Sequence, residues 1–165
     1  MAAAILGVMS RWPENWADQV AGRDCIACAA LGVGDNEHTV AVAELPYSEV
    51  GLHRQSRLPG YCVVVWRHGH VAEPMDLPPD AAAGYWRDVL DVATAVRAEF
   101  RPVKVNLMTL GNTVPHLHTH VLPRPVDDPA AGGPIPWDDI FAAEPIEATV
   151  LYAQVAALRR RLRRA

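Results

Sequence analysis

Residues 116–121 read His-Leu-His-Thr-His-Val, so three of the seven histidines fall at every second position. A period of two is that of a β-strand, whose successive side chains point to opposite faces. A strand here puts the three imidazoles on one face and Leu117, Thr119 and Val121 on the other. The chain must therefore build a sheet with one face covered and the other open to chemistry. Pro115 lacks an N–H and suits an edge or bulged start of this strand.

The remaining patterns supply such a sheet. Residues 61–66 (Tyr-Cys-Val-Val-Val-Trp) follow a Pro59-Gly60 turn and are apolar on both faces, which predicts a central strand. Residues 38–45 read as a strand ended by Pro46, and residues 48–55 as a short strand or loop. Tyr85, Val89, Val92, Val96 and Phe100 repeat at helical spacing, which predicts an amphipathic helix over 80–100 with proline in its first turn. A strand over 105–110 follows, and Gly111-Asn112 turns the chain towards the histidines. A last helix is expected from Pro145, with Ile146, Val150, Leu158 and Leu162 on one stripe and solvated arginines at its end. The order predicts an α+β fold with a mainly antiparallel sheet, a long helix packed on it and a C-terminal helix. The expected division is an N-terminal arm over 1–24 with one helical turn, a core domain over 25–125, and a Pro/Gly-rich loop with a helix over 126–165.

Charge narrows the partners. With 15 basic and 19 acidic residues the net charge is −4, which is no footprint for binding nucleic acid polymers. A local pocket can still be positive enough for a small phosphorylated ligand. Residues 1–9 are apolar, but short and without a preceding basic stretch, so no signal peptide is expected. No apolar run approaches the length of a membrane span. Three cysteines make no disulfide framework, and a reducing cytoplasm is the expected location. Cys25-x-x-Cys28 alone reads as a zinc half-site, a redox pair or two buried thiols. Cys62 reads as a buried thiol.

Three imidazoles in a row suit metal binding, or covalent transfer of a phosphorus group with one histidine as nucleophile. Gly111-Asn112-Thr113 upstream and Arg124 downstream offer groups suited to phosphate oxygens, which favours transfer.

Residues 111–124, Gly-Asn-Thr-Val-Pro-His-Leu-His-Thr-His-Val-Leu-Pro-Arg, resemble the signature of the histidine triad (HIT) superfamily, in which three histidines alternate with apolar residues. Pro59-Gly60-Tyr61-Cys62-Val63-Val64-Val65, the stretch from His70 to Leu77 and the helix after it resemble the family in order and spacing. The likeness spans roughly residues 25–125. It implies a HIT-like fold and a homodimeric enzyme that hydrolyses or transfers nucleoside monophosphates from diadenosine polyphosphates or nucleoside phosphoramidates. By position, the resemblance makes His118 the nucleophile, with a backbone carbonyl accepting from its Nδ1–H. His120 becomes the phosphate partner and His116 a supporting member of the catalytic set. Asn106, Asn112, Thr113 and His53 fall at substrate-binding positions. Asn112 stands where relatives often carry glutamine, and Thr119 is polar where the pattern is apolar.

Bacterial relatives also imply a structural zinc held by Cys25, Cys28, His70 and His116. His68 competes with His70 for that role, and Val71 after His70 favours the latter. Two rival functions are a nucleotide-binding or signalling protein with little or no turnover, and a metal enzyme using all three histidines.

Overall fold

The computed structural model describes residues 12–134 and 143–163. The apolar segment at 1–9 and Arg164 lie outside them. In chain order come α1 (Trp16–Val20), α2 (Ile26–Ala30), β1 (Thr39–Glu44), β2 (Ser48–His53), β3 (Cys62–Trp66), α3 (Pro79–Phe100), β4 (Lys104–Met108), β5 (His118–Arg124) and α4 (Ala148–Leu162). The five strands form one sheet in the order β1-β2-β3-β5-β4, and every neighbouring pair is antiparallel. The α+β class with a mainly antiparallel sheet is as expected, and residues 48–53 are a strand.

β3 is central because it is apolar on both sides, and the two sides do different jobs. Cys62 and Val64 are fully buried and Trp66 nearly so. They face the core made by Tyr85, Val89, Val92 and Val96 of α3 and by Leu151, Val155 and Leu158 of α4. Val63 and Val65 are half-buried on the opposite face. Gly60 opens β3 at φ +82°, and a Cβ there would lie 2.3 Å from the ring of Phe100. The turn therefore needs glycine both for its backbone and for the close approach of α3.

Buried polar groups tie α3 to the sheet. Asp88 accepts from the Tyr47 N–H and the Ser48 hydroxyl, each at 2.8 Å. Tyr85 Oη lies 3.1 Å from the Val64 carbonyl and 2.8 Å from Thr119 Oγ1, which in turn lies 2.7 Å from Thr109 Oγ1. The polar residue at 119 is thus absorbed by a hydrogen-bonded chain, since a buried hydroxyl is costly unless partnered.

The C-terminal helix departs from expectation. Pro145 forms an isolated bridge with Gln55 and does not open the helix. Glu147 caps it instead, its carboxylate accepting from the N–H groups of Thr149 and Val150. The shifted start makes Leu151, Val155 and Leu158 the buried stripe and leaves Val150 exposed. Nor is the arginine-rich end simply solvated. Arg159 donates to the carbonyls of Ala41 and Val42 at the edge strand β1, and Arg161 pairs with Glu99 of α3 at 2.9 Å.

Candidate active site

β5 begins at His118, not at His116. Opposite it on β3, Val65 pairs with His118 and Val63 with His120, while Thr119 pairs with Val64 on the buried side. Only two of the three imidazoles therefore stand over the open face. His116 precedes the strand, where Leu117 donates to the Val71 carbonyl at 2.6 Å and accepts from the Trp66 N–H at 2.9 Å. The expectation of three rings on one strand face is corrected: the His116 ring is fully buried and turned to the Cys25 side.

His118 and His120 lie edge to face, with ring centroids 4.9 Å apart. The Nδ1 of His118 is 2.6 Å from the His116 carbonyl. A carbonyl only accepts, so Nδ1 carries the hydrogen and Nε2 keeps its lone pair. His120 places Nδ1 2.7 Å from the Tyr61 hydroxyl. Burial lowers the pKa of both rings, His120 to about 3, with the neighbouring His118 and His53 adding to the effect on His120. Both are neutral at pH 7.

The two rings divide an open groove. One cleft of about 590 Å³ is lined by Ile26, Ala27, Ala30, His53, Val63 and Val65, together with Thr113, His118 and His120. A second, of about 510 Å³, is walled by the loop from Leu110 to Val114 and by the same two histidines. Asn112 borders the second cleft and Thr113 both. His53 ends β2 and stacks flat on Tyr61, with 5.0 Å between centroids and 1° between planes. His38, at the start of the 38–45 stretch, also reaches the rim of the first cleft.

Two expected neighbours are engaged elsewhere. Asn106 pairs with Leu122 in the sheet, lines neither cleft, and accepts from Arg124 Nη1 at 2.7 Å. Arg124 is buried, ion-paired with Asp128, and donates to the carbonyls of Ala130 and Gly133. Its guanidinium pins the 128–133 loop and is not offered to phosphate, which corrects its reading as a phosphate neighbour.

A separate cluster lies behind His116. One ligand-type atom each from Cys25, Cys28, His70 and His116 falls within 4.8 Å of all the others. His116 Nδ1 is 3.5 Å from Cys25 Sγ and 3.4 Å from Cys28 Sγ, and His70 Nδ1 is 3.6 Å from Cys28 Sγ. A sulfur and a nitrogen bound tetrahedrally to one zinc ion sit about 3.6 Å apart at the usual bond lengths. Both far ring nitrogens are already held: His116 Nε2 donates to the Trp66 carbonyl at 2.8 Å and His70 Nε2 to the Val20 carbonyl at 3.0 Å. These bonds leave both Nδ1 lone pairs directed at the thiols, the tautomer a metal requires. Burial, then the neighbouring Cys25, pushes the Cys28 thiol up to about 11, so metal uptake would displace thiol protons. The set fits a closed four-ligand metal site. His68 is not part of it; its Nε2 donates to the Pro46 carbonyl at 2.7 Å. Gly22, at φ +78°, lets α1 approach, since a Cβ there would lie 2.8 Å from His70.

Sequence reading missed Tyr61 and the α2 wall of the cleft. Tyr61 has the parity of Val63 and Val65, so strand alternation alone put it on the histidine face.

The family model of the HIT domain matches residues 35–126. The chain belongs to the histidine triad family, a superfamily of nucleotide-binding hydrolases and transferases. Among solved structures it is similar to a histidine triad protein from Bradyrhizobium japonicum, at 28% identity and TM-score 0.70 over 76% of this chain and 92% of that one. A histidine triad protein from Marinobacter aquaeolei is 25% identical, with TM-score 0.69 over 77% and 90%. A zinc-bound histidine triad family protein from Mycobacterium smegmatis shares the fold at 20% identity and TM-score 0.61 over 86% and 94%. No curated protein matches the chain.

Proposed function

We propose that this protein is a nucleotide hydrolase or nucleotidyl transferase acting at the α-phosphate of a nucleoside phosphate derivative, a diadenosine polyphosphate or a nucleoside phosphoramidate. The observation that carries the reading is His118: neutral, hydrogen-bonded through Nδ1 to the His116 carbonyl, and at the wall between two clefts. Its Nε2 lone pair attacks the α-phosphorus. An N–P bond forms as the bond to the leaving oxygen or nitrogen breaks, and that electron pair departs with the leaving group. Water then attacks phosphorus, returns the N–P pair to Nε2, releases the nucleoside monophosphate and gives its proton to solvent. Another acceptor in place of water makes the protein a transferase.

The clefts suggest how substrate lies. The nucleoside fits the larger one, against Ile26, Ala27, Val63 and Val65, with His53 at the ribose. The leaving group fits the second, beside Asn112 and Thr113. His120 contacts the phosphate, His116 supports the triad from behind, and Asn106 acts through its Arg124 bond rather than by touching substrate. Turnover of a panel of diadenosine polyphosphates and AMP phosphoramidates tests the reading. Release of AMP is expected; no release from any of them would defeat this reading and favour a nucleotide-binding protein without turnover.

The Cys25, Cys28, His70 and His116 set is assigned to structural zinc. A metal there would supply rigidity, joining α2 and the loop after β3 to the start of the triad, and four protein ligands leave no position for activating water. About one zinc per chain is expected by elemental analysis. The protein is further proposed to be a cytoplasmic homodimer. Edge strand β4 carries exposed Leu107, with exposed Val103 just before it, as a surface for a second copy. Light scattering giving a monomer mass would remove that claim. Among the described residues no helix is long and apolar enough to cross a membrane.

A further inference from the structure

Tyr61 is buried to 1% exposure immediately before β3. Its ring lies flat against His53, whose backbone N–H donates to the Tyr61 carbonyl at 3.0 Å. The phenol is thereby held with its oxygen 2.7 Å from His120 Nδ1. Burial raises the phenol pKa above its ordinary value and lowers that of His120, so both groups are uncharged at neutral pH. A neutral imidazole has one N–H and one lone pair. Between a phenol and an imidazole nitrogen, the phenol is the better donor and the lone-pair nitrogen the better acceptor. The hydrogen in this bond belongs to Tyr61, and the hydrogen of His120 is left on Nε2.

We infer that Tyr61 is a positioning residue which fixes His120 as the Nε2–H tautomer, opposite to the Nδ1–H tautomer that the His116 carbonyl imposes on His118. Two identical side chains two residues apart thus present opposite chemistry to one groove. His118 offers a lone pair from Nε2, and His120 offers a hydrogen-bond donor from Nε2. A nucleophile beside a fixed donor suits attack on phosphorus with stabilisation of a non-bridging oxygen. The catalytic meaning rests on the proposed function; the tautomer assignment does not.

Nitrogen-15 NMR of the histidine side chains in the full-length protein at pH 7 tests this, with the His120 signals assigned by their loss in His120→Gln. The expected spectrum gives His120 a protonated Nε2 and an unprotonated Nδ1, with the reverse for His118. Tyr61→Phe keeps the ring and its stack on His53 but removes the donor. It should move the His120 nitrogens towards a tautomer-averaged position and lower kcat about tenfold, with KM within about twofold, as loss of one neutral hydrogen bond at a reacting centre predicts. A merely structural tyrosine would not move the tautomer. A protonated Nδ1 on wild-type His120, or unchanged His120 signals in Tyr61→Phe, overturns the inference. The wild-type spectrum decides it alone if the variant does not fold. Absence of nucleotide turnover with the expected tautomers would instead defeat the proposed function and leave this inference standing.

Discussion

His116 and His118 are two residues apart and chemically identical, yet their surroundings give their ring nitrogens different partners. Both ring nitrogens of His116 are engaged, Nε2 by the Trp66 carbonyl and Nδ1 by the thiols of Cys25 and Cys28. His118 has one nitrogen held by a carbonyl and the other at the cleft wall. The difference comes from where the strand begins. Inside β5 alternation holds His118 and His120 over the open face, whereas His116, before the strand begins, is turned towards Cys25 and Cys28. A histidine's work is decided by the partner of its second nitrogen, more than by its place in a motif.

The sharpest way to break this comparison is to remove each ring in turn. His118→Asn is expected to lower turnover by about 10⁶-fold, the scale seen when a covalent nucleophile is lost, with metal content unchanged. His116→Asn should instead lose the metal. Steady-state rates and elemental analysis on both variants check this, and a His118 variant with full activity would refute the assignment.

Next in size is the metal side. Cys25→Ser removes a ligand from the proposed zinc site, and chelation of the wild type would remove the ion itself. Stability should fall by about 3 kcal/mol or more, roughly 10 °C in thermal midpoint for a domain of this size. Calorimetry with and without chelator measures it. A midpoint that does not move would mean the cluster has no structural role.

Acid should weaken the cleft side in a defined direction. Burial holds His120 near 3, well below its unfolded value of 6.5, so the unfolded chain takes up the proton first as pH falls. Stability is therefore fully present above about pH 6.5 and declines towards pH 3, by about 2–3 kcal/mol at pH 4.5 from this group alone. Urea midpoints across that range should fall with acid in the wild type and less steeply in His120→Gln. An equal slope would contradict the burial of this ring.

The smallest effect is expected on the covered side of β5. Thr119→Val removes a hydroxyl bonded to Tyr85 and Thr109 while keeping the shape, and should cost about 1–2 kcal/mol with turnover largely unchanged. Denaturant titration checks the value; a large loss of activity would show that the two faces of the strand are not separable.

Much of this division is legible in the amino-acid sequence. Alternation places His118 and His120 on one face and Thr119 on the other, because a sheet with one covered side leaves no other register. The Cys-x-x-Cys pair and His70 are legible as one site only through resemblance to a family, since ligands from separate segments carry no local signal. Three features escape a reading of the sequence because they depend on long-range partners. Arg124 is claimed by Asp128 and two loop carbonyls, which no periodicity reveals. Pro145 pairs with Gln55, distant in the chain, and so the helix starts at Ala148, capped by Glu147. The ring of His116 turns out of line because Leu117 bonds across to Val71 and Trp66.

The most direct test of the division between these histidines is mass spectrometry of the rapidly quenched reaction, run across the same nucleotide panel on zinc-loaded protein. A nucleoside monophosphate adduct on His118, with His116 and His120 unmodified and the zinc retained, is the predicted result. An adduct on His116 or His120, or zinc lost as the adduct forms, would contradict it.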